Sequence, residues 1–264
     1  MMNILLVVAT AAFGLIFGSF LNVIIYRVPR QESVVLPSSH CPACEHQLGA
    51  SDNIPVISYI LLKGKCRYCG APISFKYPAI ELMAAFLAMS ALIKYGLTPA
   101  FFMAVYFLLV LLALSAIDIE HKIIPNVIVA PSIVLGALLV PLYALVKADN
   151  ISLVDQADWR WPIAGFLIGG GLLLLLALLW PNGMGGGDIK LAGFMGLFLG
   201  RYVVVALFLG FLLGSLGGLF AMFFLGKGRK DLIPFGPYLA AGSVLTIFIG
   251  APLAHWYLAL SGFK

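Results

Sequence analysis

The sequence predicts an all-α polytopic membrane protein with about eight transmembrane helices and a small cytoplasmic zinc-ribbon-like insertion between helices 1 and 2. Hydrophobic residues make up 62% of its 264 residues and charged residues 10%, whereas soluble domains are about 45–50% apolar and about 25% charged. The mean hydropathy of +1.06 excludes an ordinary soluble domain. The basic residues that give the net charge of +5 border apolar segments, so we expect a surrounding lipid bilayer and no nucleic-acid partner.

The apolar segments are counted against the length that crosses a bilayer, about 20 residues. Eight segments emerge: 3–25, 79–96, 98–117, 127–146, 162–181, 189–200, 201–226 and 238–259. The sixth is shorter than a full span, but a single helix from Leu191 to Gly226 would be about 54 Å long. That exceeds the hydrocarbon core of roughly 30 Å, so we predict a break at Gly200-Arg201.

Lysine and arginine residues set the predicted orientation. Of the 16, 11 fall in four segments: 26–78, 118–126, 182–190 and 227–237. The positive-inside rule makes these segments cytoplasmic and both termini external. The chain then divides into a first transmembrane helix over 1–25, a cytoplasmic four-cysteine module over 26–78 and a transmembrane bundle over 79–264.

All four cysteines lie in the long cytoplasmic segment, as two Cys-x-x-Cys pairs: Cys41, Cys44, Cys66 and Cys69. Two such pairs can fold four thiolates onto one tetrahedral ion, which predicts a structural zinc site with no open ligand position. Disulfides are the alternative, although a cytoplasmic loop is in a reducing compartment. His40 and His46 stand beside the first pair and are expected to be surface residues, because four thiolates already complete the ligand set.

A glycine-rich segment precedes Asp188 and runs from Gly183 to Lys190 as Gly-Met-Gly-Gly-Gly-Asp-Ile-Lys. Glycines let a backbone approach a substrate closely, so the run at 185–187 is a candidate surface for an extended peptide. The alternative is a flexible loop in which Asp188 caps a helix that begins at Ile189.

Ionisable side chains near a membrane mark function by default, and the candidates at the cytoplasmic boundary are Glu81, Asp118, Glu120 and Asp188. Two positions along a helix turn about 200°, so Asp118 and Glu120 face apart, and Glu120 is expected on the wet face. The predicted topology places Asp118 and Asp188 at one membrane face.

Two carboxylates that share one proton can activate water and polarise a peptide carbonyl, which is aspartyl protease chemistry. The alternatives are a proton- or ion-coupled transporter that uses the same two carboxylates, and structural pairs of Asp118 with Lys122 and of Asp188 with Lys190. No serine triad is available, because the histidines lie in the cysteine loop, in the wet turn at His121 and, as His255, near the outer end of the last span.

Several motifs spread over nearly the whole chain resemble the bacterial type IV prepilin peptidase family, also called leader peptidase and N-methyltransferase. The matching stretches, beyond the two cysteine pairs, are Phe17-Gly18-Ser19-Phe20-Leu21-Asn22-Val23, Tyr26-Arg27, Asn53-Ile54-Pro55, Ser58, Tyr77-Pro78 with Glu81, Asp118 followed by Pro125-Asn126, the glycine run to Lys190, and Ile233-Pro234-Phe235-Gly236-Pro237.

The resemblance implies an endopeptidase of the bacterial inner membrane that removes the basic leader of prepilins and type II pseudopilins after a glycine, with Asp118 and Asp188 as the catalytic pair. It also implies methylation of the new amino terminus with S-adenosylmethionine. Gly64 and Lys65 match positions associated with that second step. Prepilins are expected to enter from the membrane.

Overall fold

The computed structural model describes residues 4–146, 153, 160–180, 184–224, 226 and 233–261, and this part of the chain is almost entirely helical. The α-helices are α1 (Ile4–Arg27), α2 (Ile57–Leu61), α3 (Lys76–Tyr95), α4 (Pro99–His121), α5 (Asn126–Val146), α6 (Arg160–Leu179), α7 (Gly186–Leu199), α8 (Val203–Phe224) and α9 (Gly236–Leu260). Each of the eight predicted apolar segments corresponds to one of the long helices. The short helix α2 lies within the predicted cysteine module.

Six stretches of the described chain are long and apolar enough to cross a bilayer: Ile4–Arg30, Lys76–Tyr95, Pro99–His121, Arg160–Leu179, Gly186–Phe224 and Gly236–Leu260. The count is lower than eight for two reasons. Helices α7 and α8 fall within one 39-residue stretch, and of α5 only Asn126–Val140 lies among the residues whose side chains the structure describes. The prediction of an all-α polytopic membrane protein is confirmed.

The predicted break between α7 and α8 is confirmed as a 3₁₀ turn over Gly200–Tyr202. Gly200 has a φ of +54°, a conformation that glycine adopts without the strain a Cβ would impose. The interruption divides the 39 residues into α7, with 14, and α8, with 22. At 1.5 Å per residue α7 is about 21 Å long, which is shorter than the hydrocarbon core.

The chain forms two compact units, Met1–Ala113 and Leu114–Lys264. In the first unit α1 packs along α3. A Cβ at Gly14 would lie 2.5 Å from Ala85 Cα, and a Cβ at Gly18 would lie 2.6 Å from Glu81 Cα. Glycines four residues apart therefore let the two backbones approach closely, as small residues do in membrane helix pairs.

In the second unit α7 contacts α5, α6, α8 and α9. Its residues from Leu191 to Leu199 are all buried, as expected of a helix that is surrounded by protein rather than by lipid. Small residues bring α6 against it: a Cβ at Gly165 would lie 2.2 Å from the Gly196 carbonyl oxygen, and one at Gly169 would lie 2.4 Å from the Ala192 carbonyl oxygen. This packing fixes the start of α7, where Asp188 lies.

Candidate active site and metal centre

Asp118 occupies the last turn of α4 and is only 5% exposed. Its Oδ2 accepts a hydrogen bond of 2.9 Å from the backbone N–H of Gly236, the first residue of α9. A Cβ at Gly236 would lie 2.9 Å from the same oxygen, too close for an unshifted carboxylate. The absence of a side chain at Gly236 therefore lets the start of α9 hold the Asp118 carboxylate.

Asp188 is half-buried in the first turn of α7. The alternative in which it caps a helix beginning at Ile189 is wrong, because α7 begins at Gly186 and the N-cap residue is Gly185. An acidic side chain in the first turn interacts favourably with the helix dipole. The packed core of the second unit thus fixes the backbone that carries Asp188.

The structure brings the two aspartates together, since their carboxylates are close enough to interact electrostatically. Within the described residues neither aspartate forms a salt bridge. Lys190 Nζ instead donates a hydrogen bond of 2.7 Å to Asn126 Oδ1. The alternative in which Asp188 pairs with Lys190 and Asp118 pairs with Lys122 is not observed in this part of the chain.

The three candidate glycines before Asp188 differ in their surroundings. A Cβ at Gly187 would lie 2.8 Å from Ile124 Cβ, so this position is used for packing against the segment that follows α4. A Cβ at Gly186 would meet no described atom within 4 Å, and one at Gly185 would lie 3.3 Å from Asp188 Oδ2. Gly186 is therefore the position that offers open backbone, and Gly183 lies outside the described residues.

Sequence reasoning assigned no role to four groups around the aspartates: Ile124, Asn126, Gly236 and the ring of His121. The Nε2 atom of His121 is buried and has no hydrogen-bond partner among the described residues, although the sequence placed this histidine on the wet face. Glu120 is exposed while Asp118 is buried, as the helical spacing predicted. No residue-level signal marked Gly236, because its role depends on a contact 118 residues away along the chain.

The four cysteines also come together, with all four Sγ atoms within 4.8 Å of one another. The Sγ atoms of Cys41 and Cys69 are 3.9 Å apart, and all four thiols are free. Ligands about 2.3 Å from a tetrahedral zinc ion would be about 3.8 Å apart, so this cluster could bind a metal. His40 and His46 are exposed, as predicted.

The two cysteine pairs are built alike, with equivalent atoms 25 residues apart. Cys41 N–H donates to the His46 carbonyl at 3.0 Å, and Cys66 N–H donates to the Ala71 carbonyl at 2.8 Å. Each pair is followed by a residue with positive φ, Glu45 at +57° and Gly70 at +73°. The backbone N–H of Ala43 donates to the Cys41 sulfur and lowers the pKa of that thiol to about 7, which favours the thiolate form that binds metals.

Asp52 braces the loop between the two cysteine pairs. Its side chain is 3% exposed and its Oδ1 is 2.7 Å from Arg67 Nε. Its Oδ2 accepts hydrogen bonds from Tyr68 Oη at 3.1 Å and from the Gly49 N–H at 3.2 Å. The Arg67 guanidinium, together with these donors, holds the pKa of Asp52 below its ordinary value. The second cysteine pair is thereby tied to the segment that leads into α2.

Gly64 and Lys65 lie just before the second cysteine pair. Gly64 has a φ of +69°, and a Cβ there would lie 3.1 Å from Tyr59 Oη. Its carbonyl accepts the Ile73 N–H at 2.7 Å, while Lys65 and Pro72 form an isolated β-bridge. Both residues therefore belong to the framework of the module, and Gly64 also positions the Tyr59 ring.

Two segments of the chain are similar to known protein families. The bacterial peptidase A24 N-terminal domain matches residues 12–95, and the type IV leader peptidase family matches residues 105–221. The second match contains both Asp118 and Asp188. The comparison with solved structures gives no match.

Similar proteins cover nearly the whole chain. One from Bacillus subtilis, named prepilin leader peptidase/N-methyltransferase, is 36% identical over 250 residues, which is 94% of this chain and 96% of the relative. Proteins of the same name from Burkholderia pseudomallei and Pseudomonas aeruginosa are 34% and 31% identical, over 94% and 98% of this chain and 86% and 95% of their own lengths. The chain therefore belongs to the type IV leader peptidase family.

Proposed function

We propose that this protein is a membrane-embedded aspartyl endopeptidase that removes the leader of type IV prepilins and type II pseudopilins after a glycine, on the cytoplasmic side of the inner membrane. The observation that carries the proposal is the pair of carboxylates in the last turn of α4 and the first turn of α7. Asp118 is buried against Gly236, and Asp188 is close enough to interact with it. Relatives that bear the name prepilin leader peptidase support the substrate class.

In the proposed reaction the ionised member of the pair takes a proton from water as the water oxygen attacks the scissile carbonyl carbon. The protonated member donates its proton to the carbonyl oxygen, so a neutral tetrahedral intermediate forms. Collapse of that intermediate breaks the C–N bond as the nitrogen takes a proton from the pair. One Asp118 oxygen accepts the Gly236 N–H, which orients the carboxylate before substrate arrives.

The backbone at Gly186 offers space for the peptide beside the pair, since no described atom lies within 4 Å of the position a Cβ would take. An extended segment at the junction of leader and apolar helix could lie there. Prepilins would deliver that junction by entering from the membrane, because their apolar helix follows the basic leader.

The transporter alternative uses the same two aspartates but draws no support from the family. Transporters place their carboxylates near the middle of the bilayer, within repeated halves. In this chain Asp118 lies in the last turn of α4 and Asp188 in the first turn of α7. Because both aspartates lie at helix ends rather than at mid-helix, a hydrophilic leader can reach them.

A second proposed activity is methylation of the new amino terminus, as the relatives' names imply for them. When bound, S-adenosylmethionine supplies a methyl group to the amine lone pair, the electrons of the broken C–S bond stay on sulfur, and a proton passes to water. Gly64 and Lys65 match positions that the family associates with this step, and the backbone of both belongs to the framework of the module.

The cysteine cluster is proposed to hold a structural zinc ion, with Cys41, Cys44, Cys66 and Cys69 as ligands. Four thiolates leave no open position for water or substrate. The ion would therefore shape the loop and would take no part in peptide hydrolysis.

The test is incubation of the purified full chain in detergent with a synthetic prepilin and S-adenosylmethionine, followed by mass analysis. We expect a cut after the leader glycine and a mature fragment that is heavier by one CH₂ unit, the net addition when a methyl group replaces a hydrogen. Asp118→Asn and Asp188→Asn should each lower the cleavage rate by about 10³-fold or more. Glu120→Gln, a carboxylate change two residues from Asp118, is the matched control and should cut normally.

Two results would overturn the proposal. Cleavage retained by either aspartate variant would remove that residue from the mechanism. Proton or ion transport by the reconstituted wild-type chain, without any cleavage of prepilin, would favour the transporter.

A further inference from the structure

A cavity of about 650 Å³ lies in the first unit, between α1, the cysteine module and the start of α3. Its volume is within the range of about 300–1,000 Å³ that small-molecule sites occupy. Apolar and aromatic side chains form much of the wall, among them Val23, Tyr59 and Tyr77, and polar side chains, including Glu81, form the rest. The proposed peptide hydrolysis uses none of these residues.

Glu81 contributes a carboxylate to this cavity and is itself only 7% exposed. Its Oε2 accepts a hydrogen bond of 2.7 Å from the Val56 N–H, and Ser19 also hydrogen-bonds to the carboxylate. The close approach of α1 at Gly18 to the Glu81 backbone sets the position of this side chain. The carboxylate is thus fixed from two sides at the wall of a largely apolar chamber.

The backbone at Val56 is strained where it donates to Glu81. Val56 has a φ of +61° and a ψ of −45°, a conformation rarely adopted by a β-branched residue. The Ile57 N–H donates to the Pro55 carbonyl at 2.6 Å, which closes a three-residue γ-turn, a strained form with this sign of φ. Strained turns of this kind persist where the surrounding structure holds them, often beside bound ligands.

Within the described residues Glu81 forms no salt bridge. Two arginines line the cavity, and both are engaged elsewhere. Arg27 is 5% exposed and donates to the backbone carbonyls of Ser33, Pro37 and Ser38. Arg67 pairs with Asp52 at 2.7 Å. A buried carboxylate without a cation carries a desolvation cost. A ligand that brings its own positive charge would relieve that cost.

We propose that this cavity binds S-adenosylmethionine, with Glu81 as the counter-ion of its sulfonium. The inference rests on the proposed methyltransferase activity. It adds the cavity in which the methyl donor binds and the side chain that faces its sulfonium. The purine and the aliphatic chain of the donor fit apolar walls. The positively charged sulfonium is attracted by the Glu81 carboxylate and by aromatic rings.

The cavity also accounts for the association of Gly64 with methylation. Gly64 does not line the cavity, but Tyr59 does, and a Cβ at Gly64 would lie 3.1 Å from the Tyr59 hydroxyl. A side chain at Gly64 would therefore displace a wall of the chamber. Gly64 acts as a positioning residue for the donor site.

The test measures binding and needs no peptide substrate. The full chain in detergent, with its metal, is titrated calorimetrically with S-adenosylmethionine and, separately, with S-adenosylhomocysteine, which lacks the methyl group and its positive charge. Wild type should bind both ligands. Glu81→Gln should weaken binding of S-adenosylmethionine by roughly 10- to 100-fold, because it removes the negative charge that faces the sulfonium, and should weaken S-adenosylhomocysteine by less than about threefold.

Glu32→Gln is the matched carboxylate control, because Glu32 is exposed and lies outside the cavity wall, and it should bind both ligands as wild type does. Val23→Trp is a second variant that fills the cavity without touching Glu81. It should block both ligands, whereas Val8→Trp, at an exposed position of α1, should block neither. Melting temperatures of the variants report whether each one folds.

Absence of donor binding by a wild-type chain that cuts prepilin would overturn the cavity assignment and leave the peptidase proposal intact. Equal losses for the two ligands in Glu81→Gln would overturn the role of Glu81 as counter-ion. Normal binding in a folded Val23→Trp variant would place the donor elsewhere, whatever the behaviour of Glu81→Gln.

Discussion

The backbone N–H of Gly236 donates a hydrogen bond of 2.9 Å to Asp118 Oδ2, so the first residue of α9 orients a carboxylate at the end of α4. The contact joins segments 118 residues apart in the chain. It depends on the absence of a side chain at Gly236, since a Cβ would meet the same oxygen at 2.9 Å.

Gly236→Ala should lower the rate of prepilin cleavage by about tenfold or more, because small displacements of a catalytic group are costly. Initial rates of leader removal at saturating prepilin measure the effect. Gly171→Ala is the matched control, since Gly171 lies in α6 and a Cβ there meets no described atom within 4 Å. An unchanged rate in Gly236→Ala would show that the carboxylate does not need this orientation.

The bond of 2.7 Å from Lys190 Nζ to Asn126 Oδ1 joins the first turn of α7 to the start of α5. Asn126→Ala and Lys190→Met should each lower the free energy of unfolding by about 0.5–1 kcal/mol. The double variant should lose little more than either single variant, since both changes remove one bond. Lys122→Met is the control. Additive losses would mean that the bond contributes nothing in solution.

The purified chain should contain about one equivalent of zinc, because four thiolates complete one tetrahedral site. Cys41→Ser and Cys66→Ser, at equivalent positions of the two pairs, should each lose the metal, as elemental analysis would show. His46→Ala should retain it, since His46 is exposed and stacks on Tyr68 with ring centroids 3.6 Å apart. Full zinc content in Cys66→Ser would rule out a four-thiolate site.

The variants Cys41→Ser and Cys66→Ser test whether leader removal and methylation can be separated. We expect leader removal to persist and methylation to fail, because the cysteine module and the cavity belong to the first unit while both aspartates belong to the second. Mass analysis of the processed fragment distinguishes the two outcomes. Loss of both reactions in a variant that still folds would show that peptide hydrolysis needs the module.

Asp52→Asn should weaken the cysteine module and accelerate zinc loss to a chelator, because Asp52 accepts bonds from Arg67, Tyr68 and Gly49. The pKa of Asp52 is held below its ordinary value by Arg67. Its contribution is therefore complete above the unfolded pKa of about 3.9 and is lost only as pH falls through the lower, folded pKa.

The difference in zinc release between wild type and Asp52→Asn should consequently be constant between about pH 5.5 and 8. Glu45→Gln is the matched control, because Glu45 is an exposed carboxylate of the same module. A difference that grows or vanishes within this pH range would contradict the assignment of Asp52 as a fully ionised brace.

The sequence by itself determined the class of fold and the chemistry of the candidate site. Apolar length specifies membrane helices because the bilayer imposes one thickness on every span, and the glycine at position 200 marked the break in the longest stretch. The spacing of the cysteines specified a cluster, since two residues between thiols suffice to turn a chain around one ion. Asp118 and Asp188 stood out because carboxylates are costly near lipid.

Tertiary structure alone decided which partners those residues have. The sequence did not show which groups Gly236, Asn126 and Glu81 contact, because hydrogen bonds between segments far apart in the chain leave no periodicity in the sequence. The pairing of Lys190 with Asn126, rather than with Asp188 two residues away, follows from the packing of α7 among its neighbours. The cavity beside Glu81 exists because glycines in α1 let α3 approach closely, and only the assembled helices define its volume.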